Sequence, residues 1–138
     1  MLDMTDKRHA HVDARLRSDL MMWLSSVRPD GRAHLVPLWF LWQDDQIYIF
    51  SKPDQKVRNL SQNRSAMVSL DDTKGGEDPI MLAGEVELMK HADLPPGVQA
   101  AYAEKYLERL KEYGWSMEWY TGEYSEVIRF TPGKVFKF

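Results

Sequence analysis

Short apolar stretches separated by polar turns run through most of the chain, and this pattern predicts β-strands more often than helices. The predicted strands cover residues 22–27, 33–42, 46–50, 65–70, 80–89 and 124–130. Between the first two, Arg28-Pro29-Asp30-Gly31 predicts a turn, because Pro presets φ and Gly accepts a positive φ. Pro37 cannot donate to a neighbouring strand, so the second strand is expected at a sheet edge or with a break. Gly84 predicts a bulge or a close backbone contact.

Helical spacing is limited to a few segments. Apolar residues recur at helical intervals over residues 14–23, 55–60 and 98–110, and residues 115–120 are expected to form a helical turn. Many short strands with few helices indicate an α+β protein built on an antiparallel barrel, rather than a βαβ sheet.

Length and composition narrow the class of protein. The chain has 138 residues, which is typical of one domain; we expect a flexible N-terminus over residues 1–11 and a single domain over residues 12–138. A net charge of -3 argues against a nucleic-acid-coating surface. The absence of cysteine and of an apolar run of about 18 residues predicts a cytoplasmic protein with no membrane segment. The histidines lack metal-ligand spacing, so no metal site is predicted.

The stretch from Phe50 to Leu60 is the strongest candidate for an anion site, because a strand ends there and a helix begins. Asp54 is a candidate N-cap, and Ser51, Lys52, Lys56 and Arg58 supply hydroxyl and cationic donors beside the first amides of the helix. This inventory suits a phosphate monoester. Lys56 and Arg58 are two residues apart and therefore roughly 200° apart around a helix, so both reach one anion only if the first turn is irregular.

Aromatic residues are abundant, with 5 Trp, 6 Tyr and 5 Phe. Many lie within residues 39–50 and 113–138. Such a density either fills the core of a small barrel or also flanks a planar ligand or a subunit interface.

Four stretches in this order resemble the pyridoxamine 5′-phosphate oxidase-like family of flavin-binding split β-barrels, especially its small deazaflavin- or flavin-dependent reductases. They are Val27 to Phe40, Lys56-Val57-Arg58-Asn59-Leu60, Ala83-Gly84-Glu85-Val86-Glu87-Leu88 and Ile128 to Val135. The resemblance covers about residues 14 to 138.

The resemblance implies a homodimer of six-stranded split barrels with a few peripheral helices and a cofactor between the subunits. It assigns the cofactor phosphate to Lys56 and Arg58, with Asn59 near the ribityl chain and a hydroxyl from Ser51. It also implies that the main chain of the strand with His34, Val36 and Pro37 lies along the tricyclic ring. Lys52 is a candidate cation for the anionic tail of a deazaflavin. His34 is either a lid or donor, or a polar residue bonded locally.

The resulting hypothesis is an oxidoreductase in which coenzyme F420, a deazaflavin, or FMN passes a hydride to a small organic substrate. The sequence leaves open which of the two is bound, and whether Tyr, His or water supplies a proton. It also leaves open whether the protein is an enzyme, since the same fold serves non-catalytic flavin- or haem-binding and storage proteins. No long C-terminal basic segment for a substrate phosphate follows, so pyridoxamine phosphate oxidase activity is not expected.

Overall fold

The computed structural model describes residues 2–137, so Met1 and Phe138, which end the predicted segments 1–11 and 12–138, lie outside the described residues. The strands are β1 (Met22–Val27), β2 (Ala33–Leu38), β3 (Leu41–Gln43), β4 (Gln46–Ser51), β5 (Ser65–Leu70), β6 (Met81–Lys90) and β7 (Glu126–Val135). The helices are α1 (Lys7–Ser18), α2 (Gln55–Gln62), α3 (Val98–Lys105), α4 (Leu107–Tyr113) and α5 (Met117–Glu123). The α+β class is confirmed, but this part of the chain forms seven strands where six were predicted.

The strands form one antiparallel sheet in the order β2-β1-β5-β6-β7-β4-β3. Its two edge strands, β2 and β3, follow one another along the chain and are joined by Trp39 and Phe40. Three Cα steps reach at most about 11 Å, so the sheet has to curl until its edges approach each other. The result is a half-barrel, and Pro37 lies in an edge strand as predicted.

The seventh strand arises because the predicted strand 33–42 is divided at Phe40. The Phe40 amide donates to the Tyr106 hydroxyl at 2.8 Å, and its carbonyl accepts from Lys105 Nζ at 2.9 Å. Both backbone groups of Phe40 are therefore bound by the end of α3 and the residue after it, which fixes the crossing between the two edges.

Two glycine predictions are confirmed by the backbone. Gly31 has φ +87° and donates its amide to the Arg28 carbonyl at 2.8 Å, which closes the turn between β1 and β2. At Gly84 the pairing of β6 with β7 shifts register, as expected for a bulge. A Cβ at Gly84 would lie 2.2 Å from the Thr131 carbonyl oxygen, so the close approach of the two backbones requires glycine.

Helix α1 begins earlier than the helix predicted over residues 14–23. Asp6 is its N-cap and accepts from the amides of Arg8 and His9 at 2.8 and 3.2 Å. The segment 1–11 therefore contains the first turn of α1. The predicted helix was wrong at its other end, because Trp23 lies in β1.

Ion pairs attach α1 to a distant loop. The guanidinium of Arg15, a nearly buried residue, pairs with Asp19 at 2.8 Å and also with Asp78. The same side chain reaches the carbonyl of Asp72. These contacts join the helix to the loop before β6, and the paired carboxylates raise the pKa of Arg15.

The buried apolar residues form two clusters. The barrel core lies inside the curled sheet and includes Leu16, Leu24, Ile49, Leu82 and Ile128. The helix-side cluster lies between the sheet and helices α3 to α5, and consists of Leu41, Tyr48, Phe50, Val98, Tyr102, Tyr106, Leu110, Tyr120 and Val127. One cluster is mainly aliphatic, whereas the other contains four tyrosines.

No helix within residues 2–137 is both long and apolar enough to cross a membrane. The same residues contain no group of three or more His, Asp or Glu side chains placed to hold a metal ion.

Candidate functional site

The predicted anion corner lies between β4, which ends at Ser51, and α2, which begins at Gln55. Asp54 occupies the N-cap position, but its side chain caps none of the α2 amides. Its carboxylate instead accepts from Lys56 Nζ at 2.6 Å. The first amides of α2 therefore keep their donor capacity, as an anion site at a helix start requires.

The two predicted phosphate cations are placed differently. The Lys56 side chain is 13% exposed and lines a cavity beside the helix start. Arg58 is exposed, does not line this cavity and donates to Gln55 Oε1 at 3.0 Å. The structure therefore brings Lys56, but not Arg58, to the cavity, in keeping with their wide angular separation on a regular helix.

Two other predicted residues of the corner lie close by. Ser51 is buried, and its hydroxyl donates to the Lys52 carbonyl at 2.7 Å. Lys52 is exposed, with its ammonium 5.4 Å from the centroid of the Tyr124 ring. Neither side chain lines the cavity, although Tyr124 does.

Asn59 is fully buried and joins α2 to the sheet. Its Nδ2 donates to the Ser26 hydroxyl at 3.0 Å, and its Oδ1 accepts from Gln55 Nε2 at 2.7 Å. Ser26 pairs with His34 across β1 and β2. His34 Nδ1 is buried without a hydrogen-bond partner among the described residues.

Strand β2 has β1 as its one neighbour in the described sheet, and Val36 pairs there with Leu24. Along its other side the strand therefore presents backbone groups that no ladder occupies. Pro37 and Leu38 at its end line the cavity, together with Trp39 of the crossing. The end of β2 and the start of α2 thus meet at one cavity.

This cavity has a volume of about 280 Å³. It is lined by Met21, Pro37, Leu38, Trp39, Phe50, Lys56, Tyr113, Trp115, Tyr120 and Tyr124. Of the predicted site residues, Pro37 and Lys56 are among them; His34, Val36, Ser51, Lys52, Arg58 and Asn59 are not. The aromatic lining residues were not predicted individually. The aromatic density of residues 39–50 and 113–138 was the available signal, but it did not separate ligand contacts from core.

Burial sets the protonation of the groups behind the cavity. It raises the pKa of Tyr102, Tyr106 and Tyr120, so these phenols stay neutral and can act as donors. The hydroxyls of Tyr102 and Tyr120 lie 2.9 Å apart. Burial also lowers the pKa of Lys105 to about 8, because removal from bulk water penalises the charged ammonium.

Comparison with solved structures shows where this fold recurs. An F420 reductase is 22% identical, with a TM-score of 0.65 over 91% of this chain and 96% of the other. HutZ, the haem storage protein of Vibrio cholerae, is 11% identical, with a TM-score of 0.63 over 92% of each chain. An FAD-binding protein of Mesorhizobium loti is 18% identical, with a TM-score of 0.57 over 91% and 90%. At these identities the likeness concerns the fold alone.

No curated protein matches the chain in sequence. A family model does: the model described as pyridoxamine 5′-phosphate oxidase matches residues 9–137. Since that match spans nearly the whole chain, the protein belongs to the pyridoxamine 5′-phosphate oxidase family.

Proposed function

We propose that the protein is an oxidoreductase that binds coenzyme F420 or FMN between two copies of the chain and transfers a hydride to a small organic substrate. The observation that carries this proposal is the position of Lys56. Its ammonium lies at a cavity where the uncapped start of α2 meets the free edge of β2. Family membership and the fold shared with an F420 reductase and an FAD-binding protein support a flavin-type cofactor.

The residues present fit the phosphate end of such a cofactor. Helix amides and a nearly buried ammonium are strong donors to an anion, and neither requires a large rearrangement. The free edge of β2 offers main-chain donors and acceptors to the pyrimidine edge of a tricyclic ring. The bound cofactor would supply the hydride chemistry, while the chain orients the ring and limits the access of water.

The second copy is expected on the outer face of the sheet. Trp23, Leu35, Met67 and Met81 lie around a concavity of about 460 Å³ there, and Leu35 is 59% exposed. The pairing of β2, β1, β5 and β6 places these side chains on one face. A contiguous apolar patch of this kind on a small protein is typical of an interface.

Light scattering after gel filtration tests this interface. The wild type is expected to be a dimer, and Leu35→Glu a monomer, because the substitution buries a charge without a partner. Leu107→Glu is the matched control, since Leu107 is 46% exposed on α4, away from the patch. A monomeric wild type, or a Leu35→Glu dimer as stable as the control, would count against the proposed assembly.

Equilibrium titration of the purified protein with each cofactor tests the site itself. Lys56→Gln is expected to weaken binding by about 1–3 kcal/mol, the range for a charge-assisted hydrogen bond. Arg58→Gln is the matched control, and its loss is expected to be smaller because Arg58 does not line the cavity. Equal losses would place the phosphate outside the cavity, and unchanged affinity in both variants would reject the phosphate site.

The absorbance spectrum of freshly purified protein separates the alternatives cheaply. Yellow absorbance supports a flavin. A Soret band would instead favour the haem-binding alternative, in which the fold is shared with a haem storage protein. Turnover of the reduced cofactor is then measured against a panel of small organic acceptors to test catalysis.

A further inference from the structure

Lys105 is the last residue of α3, and its side chain reaches the crossing between β2 and β3. The ammonium donates to the Phe40 carbonyl at 2.9 Å and lies 3.7 Å from the centroid of the Phe40 ring. The centroid of the Tyr106 ring is 5.4 Å away. The contacts of this ammonium are thus two aromatic rings and one uncharged oxygen.

Other lysines of the chain hold their charge against a carboxylate. Lys56 and Lys74 lie 2.6 and 2.7 Å from an aspartate oxygen. Lys105 forms no such ion pair with any of residues 2–137. Asp19 acts on it only from beyond ion-pair distance and is itself paired with Arg15 at 2.8 Å. The fold therefore gives the charged form of Lys105 little compensation for its burial.

The uncharged amine is consequently a well-populated state of this side chain. Burial lowers the pKa of Lys105 to about 8, so about half of it is neutral at pH 8, against less than about 1% of an ordinary lysine. The neutral amine keeps two N–H donors, so it can retain its bond to the Phe40 carbonyl while its lone pair is free to attack. The side chain is only partly buried, and part of it stays in contact with solvent. A desolvated lysine of this kind is an activated nucleophile.

A group attached to Lys105 would act on the residues that fix the crossing. The Phe40 amide donates to the Tyr106 hydroxyl at 2.8 Å. The Tyr106 ring stacks on Trp39 at 4.6 Å, and Trp39 lines the cavity. Acylation replaces a charged donor with a neutral amide, whose hydrogen bond to the Phe40 carbonyl is weaker and whose acyl group adds volume beside two buried rings.

We propose that Lys105 is a covalent modification site that takes an acyl group from small activated acyl donors of the acyl phosphate class, and that the modification loosens the β2–β3 crossing. The neutral amine attacks the carbonyl carbon of the donor, so a C–N bond forms while the C–O bond to the phosphate breaks. The phosphate leaves with the electron pair of that bond, and the amine loses a proton to solvent. The modification does not depend on the proposed function, because no coenzyme takes part.

Timed acetylation of the purified protein with acetyl phosphate at about pH 8 tests the site, with each lysine followed by mass spectrometry of its peptide. Lys105 is expected to react about tenfold faster than Lys111, because its larger neutral fraction outweighs its lower basicity and narrower approach. Lys111 is the matched internal control, since it lies on the next helix and its side chain is 65% exposed. A rate for Lys105 equal to or below that of Lys111 would overturn the proposal.

The same reaction in denaturing guanidinium chloride shows whether the fold is responsible. Unfolding exposes both amines and returns them to the ordinary pKa, so the rates of Lys105 and Lys111 are expected to become equal. A preference for Lys105 that persisted in the denatured chain would come from local sequence and would overturn the role of the buried environment.

Hydrogen exchange measured by NMR tests the effect on the crossing. Acetyllysine installed at position 105 by genetic encoding gives a homogeneous modified protein. The Phe40 amide is expected to exchange about fivefold faster in it than in the wild type, because the crossing that protects this amide opens more often. Lys105→Arg keeps a cation and should exchange like the wild type, as should the amides of β5 in both proteins. Unchanged exchange at Phe40 in the acetyllysine protein would refute the loosening.

Discussion

The two buried clusters differ in composition and in what they support. The barrel core is mainly aliphatic, whereas the helix-side cluster is rich in tyrosine and contributes Phe50 and Tyr120 to the lining of the cavity. Aliphatic packing holds the sheet curled. The tyrosines add hydroxyls that bind one another and the β2–β3 crossing. The fold and the site therefore depend on different chemistry, which can be perturbed separately.

The largest effect is expected from a cavity in the barrel core. Leu24→Ala removes a fully buried side chain, so the free energy of unfolding should fall by about 2–5 kcal/mol. Urea denaturation measures this value. Leu107→Ala, at a position 46% exposed, should change it by no more than about 0.5 kcal/mol. A small loss for Leu24→Ala would show that the core can collapse around the missing volume.

Added volume should also be costly where the backbones approach closely. Gly84→Ala places a methyl group against the Thr131 carbonyl and the Phe130 ring, and should destabilise the protein by about 1–3 kcal/mol. Gly133→Ala is the control, since the nearest atom to its Cβ is 3.8 Å away. Thermal unfolding of both variants compares them, and equal melting temperatures would mean that the bulge yields without cost.

On the helix side, stability should depend on pH through Lys105. Burial lowers its pKa to about 8 in the folded protein, whereas the unfolded chain keeps the ordinary value near 10.5. The unfolded state then binds more protons between these values, so stability should rise by about 1 kcal/mol from pH 8 to pH 9. Lys105→Met should remove this rise, as measured by urea denaturation at several pH values.

The neighbouring tyrosines contribute little to the change in stability over that pH range. Burial raises their pKa, so their contribution to stability is nearly complete at pH 9 and declines as the pH passes 10, the ordinary value for tyrosine. A wild-type stability that falls between pH 8 and pH 9, or a rise retained in Lys105→Met, would contradict the assignment.

The smallest expected effect concerns one hydroxyl. Tyr102→Phe removes the partner of the Tyr120 hydroxyl in a buried position and should lower stability by about 1 kcal/mol. Tyr113→Phe removes an exposed hydroxyl and should change nothing measurable. If the two variants lose equal stability in urea denaturation, the hydrogen bond between Tyr102 and Tyr120 adds nothing to the stability that their rings provide.

Local signals predicted much of the fold. The turn that ends at Gly31, the bulge at Gly84 and the edge position of Pro37 each follow from one residue's backbone limits, and each is confirmed. The division of strand 33–42 could not be read locally, because Lys105 and Tyr106, far along the chain, bind Phe40. The start of α1 was missed although its N-cap, Asp6, is a local signal.

The candidate site was predicted less completely from the sequence than the fold was. The anion corner was predicted from donors next to a helix start. Of its two predicted phosphate cations, the structure brings Lys56 but not Arg58 to the cavity. The aromatic lining of the cavity could not be predicted as a unit, because Trp39 and residues 113–124 are far apart along the chain and meet only in the folded protein. Composition indicated many aromatic rings, but not which of them face open space.

The pair formed by Asp54 and Lys56 has a consequence for selectivity. The lysine is held at the cavity by a carboxylate 2.6 Å away, so its position does not depend on a ligand. Because an ammonium has three N–H donors, an arriving anion can bind while the carboxylate keeps its own hydrogen bond. Each charge on that anion is attracted by Lys56 and repelled by Asp54, so added charge brings little net gain. The corner is thus expected to select an anion by the placement of its oxygens more than by its valence.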